Sequence, residues 1–191
     1  MKNLVYGMAV TICLVSLFSC TDEQTAVNSQ TKEVSAMSMN VQSPVFEEGG
    51  MIPAKYTSDG ANVSPPLNWS GVPEESQSIV LIVDDPDAPV GTFVHWVLYG
   101  LPADVTELQE DVPDSEKLDN GALQGENDFN KIGYGGPSPP SGTHRYFFKV
   151  YALDCRLDLK SGATKRKVEK KMKGHVLAEG ELMGKYARQH N

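Results

Sequence analysis

Apolar residues in this chain fall into short runs separated by glycine, proline and aspartate, not into long helical stripes. From Met39 onward, Glu48-Gly49-Gly50, Ser58-Asp59-Gly60, Ser64-Pro65-Pro66, Asp85-Pro86-Asp87-Ala88-Pro89 and the stretch from Gly133 to Gly142 read as turns. Glycine supplies positive φ there, and proline fixes φ and removes a donor. The runs between them predict strands at Ser78 to Val83, Phe93 to Tyr99 and Arg145 to Leu153, all rich in β-branched and aromatic residues. The first is apolar on both faces, which predicts a central position. A helical period occurs near Ala163 to Lys173, where Val168 and Met172 lie four apart and Gly174 can cap the C-terminus. Leu177 to Ala187 is expected to form a second short element.

The N-terminus has a different pattern. Lys2 precedes an uncharged, mostly apolar run from Leu4 to Phe18, and polarity returns abruptly at Thr21-Asp22-Glu23. A charged start, a short apolar stretch and a polar switch predict an export signal, too short to span a bilayer as a helix. Leu17-Phe18-Ser19-Cys20 resembles a bacterial lipobox, which predicts cleavage after residue 19 and acylation of Cys20; an ordinary cleaved signal peptide is the alternative. Two acyl chains contribute about 0.8 kcal/mol per buried CH₂, enough for stable anchoring. The expected organisation is a signal peptide over 1–19, a lipidated cysteine and a Ser, Thr, Gln and Asn-rich linker over 20–40, and a folded domain over 41–189. The expected location is the cell envelope, on the periplasmic or outer-membrane side.

Charge narrows the partners. The 191 residues carry 25 acidic and 17 basic side chains, a formal charge of −8, which argues against a surface that neutralises phosphates along a nucleic acid. Removal of residues 1–19 also removes Cys13, so with Cys20 acylated only Cys155 remains as a free thiol and no internal disulfide is expected. Six cations between Lys165 and Lys173 crowd the predicted helix. A solvated face that complements the helix dipole is the expected reading, with an anionic lipid or acidic partner as the alternative.

Candidate chemistry gathers around two of the four histidines, His95 in Thr92-Phe93-Val94-His95-Trp96 and His144 in Gly142-Thr143-His144-Arg145-Tyr146. Side chains alternate along a strand, so His144 and Tyr146 project from one face and Arg145 and Phe147 from the other. Asp84, Asp85 and Asp87 are expected at the C-terminal lip of the central strand, one of them serving turn chemistry alone. Arg145 is expected to pair with a carboxylate such as Asp87. The glycines of the loop from Tyr134 to Ser141 can bring backbone N–H groups close to a bound group.

These segments carry a family resemblance. Asp85-Pro86-Asp87-Ala88-Pro89, His95-Trp96 and Gly136-Pro137 followed by Gly142-Thr143-His144-Arg145-Tyr146 resemble the signatures of the phosphatidylethanolamine-binding protein family. Asn62-Val63-Ser64-Pro65-Pro66-Leu67-Asn68-Trp69 and the tail from Gly174 to Tyr186 resemble its bacterial YbhB/YbcL branch, usually labelled Raf kinase inhibitor-like. The similarity covers about Met39 to Arg188. It implies a mainly β fold, a β-sandwich with a central antiparallel sheet and a few short flanking helices. It also implies a small anion pocket at one end, carried onto Asp85, His95, His144, Tyr146 and the Gly136-Pro137 backbone. No metal or other cofactor is expected, and the sequence offers no HExxH motif or cysteine pair.

Two imidazoles, a phenol and a glycine amide can donate to phosphate oxygens, at roughly 1.5–3 kcal/mol for each charge-assisted bond. Asp85 is expected to orient a histidine and favour its imidazolium, or to accept a ligand ammonium. The expected ligand is a small phosphorylated or carboxylated headgroup, zwitterionic or monoanionic rather than a bare polyanion. Hydrolysis is disfavoured: the sequence has no Gly-x-Ser-x-Gly elbow, and Ser138 and Ser141 sit among prolines. A protein partner bound through the pocket rim, such as an envelope or host protease or kinase, is the other function class.

Overall fold

The computed structural model describes residues 36–188. The signal peptide, Cys20 and most of the expected linker lie outside the described residues. Nine strands, one α-helix and one 3₁₀ turn follow in chain order: β1 (Met37–Ser38), β2 (Asn40–Gln42), the turn Ala54–Tyr56, β3 (Leu67–Ser70), β4 (Ser78–Asp85), β5 (Phe93–Pro102), β6 (Glu107–Leu108), β7 (Leu123–Gln124), β8 (Thr143–Leu153), α1 (Lys165–Met172) and β9 (Val176–Ala187). They form a six-stranded sheet in the order β1-β9-β8-β4-β5-β7 and a three-stranded sheet in the order β2-β3-β6. The architecture is mainly β, as expected. Residues 37–38, expected within the linker, already form β1 and pair with β9.

β4 lies between β5 and β8, and all eight of its residues are buried. Both faces of the large sheet are therefore covered. On one, Leu81, Trp96, Leu98 and Phe148 pack with Val41, Leu67 and Trp69 of the small sheet. On the other, Val80, Ile82, Val97 and Tyr99 pack with Val168 and Met172 of α1. Such burial stabilises by about 25 cal/mol per Å² of apolar surface removed from water.

Three expectations are corrected. The large sheet is antiparallel from β9 to β7, but β1 joins it in parallel, so it is mixed. The second short element is the twelve-residue strand β9, paired along the whole of β8. Six cations do not share one solvated face either: Lys165 joins Lys149 in binding the Asp84 carboxylate, itself 1% exposed. Gly174 does take the left-handed conformation (φ 85°) just beyond the helix end, the geometry a C-terminal glycine serves.

Candidate functional site

Strand parity separates three neighbouring carboxylates. Asp85 shares its face of β4 with Leu81 and Val83, whereas Asp84 points to the helical side and its two lysines. Asp87, in the following turn, takes Arg145 in a bidentate pair at 2.9 and 2.7 Å. Hydrogen bonds from that guanidinium hold the Asp87 carboxyl down at about 2 against the opposing effect of burial. The expected Arg145–Asp87 pair is present, and of the three carboxylates expected at the lip only Asp85 faces the site.

His144 stands opposite Asp85, with its Nδ1 2.7 Å from Asp85 Oδ2 and both side chains almost entirely buried. The other Asp85 oxygen accepts the Asp87 backbone N–H at 2.8 Å, which fixes the carboxylate's orientation. Both oxygens of Asp85 are thus engaged, and His144 keeps Nε2 as its remaining ring nitrogen.

His95 owes its direction to a β-bulge. Along β4 and β5 the pairing passes from Val83 with Trp96 to Asp84 with Val94, which leaves His95 as the extra residue. A bulge of this kind bends the strand and re-aims one side chain. His95 packs edge-on against Tyr146 at 5.2 Å and Phe129 at 5.4 Å, and its Nδ1 lies 2.6 Å from the Gly135 carbonyl oxygen. A carbonyl only accepts, so Nδ1 carries the proton and Nε2 of the neutral ring is a lone pair. Burial is the largest influence on this imidazole and pushes its pKa below 6.5, against the Gly135 carbonyl and the carboxylates of Asp85 and Asp128. Asp85 therefore orients His144, and His95 is biased toward the neutral ring, not toward imidazolium.

The two imidazoles and Asp85 line a cavity of about 240 Å³ whose remaining wall includes Pro89, Val90, Phe93 and Phe129. That volume falls below the range usual for drug-sized ligands. A wider groove of about 490 Å³ beside Lys149, Glu179 and Glu181 contains neither imidazole. Sequence reasoning missed the aromatic wall. Phe129 lies in an irregular segment without periodicity, positioned because Asn127 Oδ1 accepts the N–H groups of Phe129 and Lys131.

Two expected ligand contacts are redirected. The Gly136 N–H donates to Asn62 Oδ1 at 2.8 Å, and the Pro137 carbonyl accepts both the backbone N–H and the hydroxyl of Ser58. Gly136 and Pro137 anchor the loop and do not line the cavity. A Cβ on Gly136 would meet Asn62 Oδ1 at 2.6 Å and the Tyr56 carbonyl oxygen at 2.7 Å. Gly136→Ala is accordingly expected to lower Tm by several degrees, through roughly 1–3 kcal/mol of overpacking, and to weaken ligand binding indirectly. An unchanged melting curve would show that the loop relaxes freely.

Tyr146 lies beneath His95 and is fully buried. Its hydroxyl has no hydrogen-bond partner among the described residues, although Asp85 and the Ser138 backbone are close enough to affect its pKa, which burial chiefly raises. Ser138 Oγ, at the cavity edge, accepts from Arg188 Nη2 at 3.0 Å. Neither imidazole holds that hydroxyl as a general base would.

Residues 42–187 match the family model described as phosphatidylethanolamine-binding protein. A UPF0098 protein of Methanothermobacter thermautotrophicus is 53% identical over 150 residues, covering 78% of this chain and 99% of that protein. Among solved structures, a phosphatidylethanolamine-binding protein homologue from Chlamydia trachomatis superposes with a TM-score of 0.74 at 41% identity, covering 81% of this chain and all of that one. YbcL of E. coli, described as a member of the mammalian family, also gives 0.74, at 35% identity over 80% of this chain and 99% of its own.

Proposed function

Since the chain belongs to the phosphatidylethanolamine-binding protein family, we propose that its histidine cavity binds a small phosphorylated or carboxylated headgroup, and that the protein acts as a binding module and not as an enzyme. The observation that carries this reading is the convergence of His95 and His144, each with Nδ1 committed to the protein and Nε2 left over, in a headgroup-sized cavity beside Asp85. A protonated Nε2 donates to an anionic oxygen, and a neutral one accepts from a ligand O–H or N–H. The apolar wall excludes water and strengthens both kinds of bond.

Protonation sets the expected pH dependence. Binding an anion to His95 Nε2 takes up a proton that the unliganded site resists, so affinity for inorganic phosphate at constant ligand charge is expected to rise as pH falls below 6.5. The free protein behaves oppositely. A depressed histidine pKa contributes stability that is present above 6.5 and lost as pH falls through the folded value. Calorimetry of the full chain with phosphoethanolamine in two buffers of different ionisation heat measures the proton uptake. Uptake that vanishes in His95→Ala supports the proposal; the same uptake in wild type and variant contradicts it.

The N-terminal pattern supports an extracytoplasmic, lipid-anchored form of this module. No helix among the described residues is long and apolar enough to cross a membrane. Radiolabelled fatty acid should be incorporated by the wild type and not by Cys20→Ser; equal labelling contradicts the anchor. A second reading, regulation of a protein partner through the rim, is favoured by Val90, which is 86% exposed at the mouth of the cavity. Val90→Ser would then weaken the partner far more than it weakens phosphoethanolamine.

A further inference from the structure

A second group of ligand-type side chains meets at the other end of β8. Asp154 and Cys155 follow directly on the strand, and His175 sits between α1 and β9. The backbone fixes these segments to one another: Asp154 N–H donates to the His175 carbonyl at 3.0 Å, and His175 N–H donates to the Met172 carbonyl at 2.8 Å. The Cys155 carbonyl is held by the Ser78 hydroxyl at the start of β4. His175 Nδ1 lies 2.8 Å from Asp154 Oδ1. The potential donor atoms of Asp154, Cys155 and His175 all lie within 4.8 Å of one another.

We propose that Asp154, Cys155 and His175 form a binding site for a zinc-class divalent cation, separate from the histidine cavity. Zinc bonds of about 2.0–2.3 Å in a tetrahedron separate the donor atoms by roughly 3.5 Å. The present spacing reaches that by small side-chain rotations, with the Asp154–His175 contact opening slightly. One thiolate, one imidazole and one carboxylate make a set that zinc accepts and that calcium and magnesium, which require several oxygens, do not. Asp154 and His175 are 44% and 47% exposed, so an ion can enter and keep water as its fourth ligand. On binding, the Cys155 thiol proton leaves to solvent, and the imidazole proton moves from Nδ1 to Nε2 as Nδ1 turns to the metal. One proton is released per ion.

Ten residue-to-residue steps from His144 to Asp154 place the two sites roughly 33 Å apart. The nineteen residues between Cys155 and His175 explain why no metal motif is legible in the sequence. The thiol has no cysteine partner among the described residues.

The test is a titration of the reduced, chelator-stripped full chain with Co²⁺ and then Zn²⁺. The expected result is one equivalent bound, a sulfur-to-cobalt charge-transfer band in the near ultraviolet, and loss of that band when zinc displaces cobalt. Cys155→Ser should abolish the band, and His175→Ala should weaken zinc binding roughly tenfold or more, while His144→Ala leaves both unchanged. No band and no binding heat in the wild type would overturn the proposal, even if a variant failed to fold. So would a band that persists in Cys155→Ser, which would assign it to another cysteine.

Discussion

His144→Ala is expected to weaken phosphoethanolamine binding by about 10- to 100-fold, the equivalent of the ~1.5–3 kcal/mol carried by one charge-assisted hydrogen bond. Two effects act in the same direction. The substitution removes Nε2 from the cavity, and it exposes the ligand to Asp85, whose carboxylate no longer has the imidazole at 2.7 Å. Because Asp85 is almost entirely buried, stability should fall as well, by about 3 kcal/mol. The double variant His144→Ala with Asp85→Asn separates the effects: much of the stability should return and the binding should not. Calorimetry with thermal melting reads both quantities, and restored binding in the double variant would show that Asp85 repulsion, not the missing donor, had caused the loss.

The second large effect belongs to the core beneath the site. Trp96 is fully buried between β4 and β7, donates its indole N–H to Gln124 Oε1 at 2.7 Å and packs edge-on against Tyr134 at 5.6 Å. Trp96→Ala removes the ring and leaves that oxygen without a donor, so the cost is expected near the upper end of the ~3–5 kcal/mol typical of aromatic truncation. Against a total stability of about 5–15 kcal/mol, Tm should drop by roughly 10 °C or more. Trp96→Phe keeps one aromatic ring in the core and should lose less, about 1–2 kcal/mol, from the missing hydrogen bond and the smaller ring. Urea denaturation of the three proteins checks the order. Equal midpoints for Trp96→Phe and Trp96→Ala would place the cost in the hydrogen bond, not in packing.

The bulge links these predictions. Trp96 holds the core face of β5, while its neighbour His95 is re-aimed into the cavity because β4 skips it in the pairing. Sequence could not show this: strict alternation ties each residue's face to its neighbours', and only the extra residue frees His95 from it. Alternation did make legible the shared face of His144 and Tyr146 and the outward Arg145. The same rule, applied to Asp84 and Asp85, would have separated those carboxylates.

Strands β4, β5 and β8 were legible because β-branched and aromatic residues dominate them. β9 was not, since Gly180, Gly184, Glu179 and Glu181 dilute its apolar signal, and its strand character comes from pairing with β8. The sequence points to Gly136 and Pro137 as ligand contacts because a glycine amide near a pocket is chemically suited to that task. What redirects them is Asn62, 74 residues away in sequence, a partner that only the tertiary fold reveals. The Phe129 wall was hidden for another reason: its segment has no period, and local hydrogen bonds to Asn127 Oδ1 shape it.

Ligand contacts made by the free ring nitrogens of His95 and His144 should be visible in the imidazole ¹⁵N resonances of the full chain during titration with phosphoethanolamine at constant pH. The Nε2 signals of both rings are expected to move in a saturable way while both Nδ1 signals, committed to Gly135 and Asp85, move far less. Saturable binding that leaves both Nε2 signals in place would contradict those contacts.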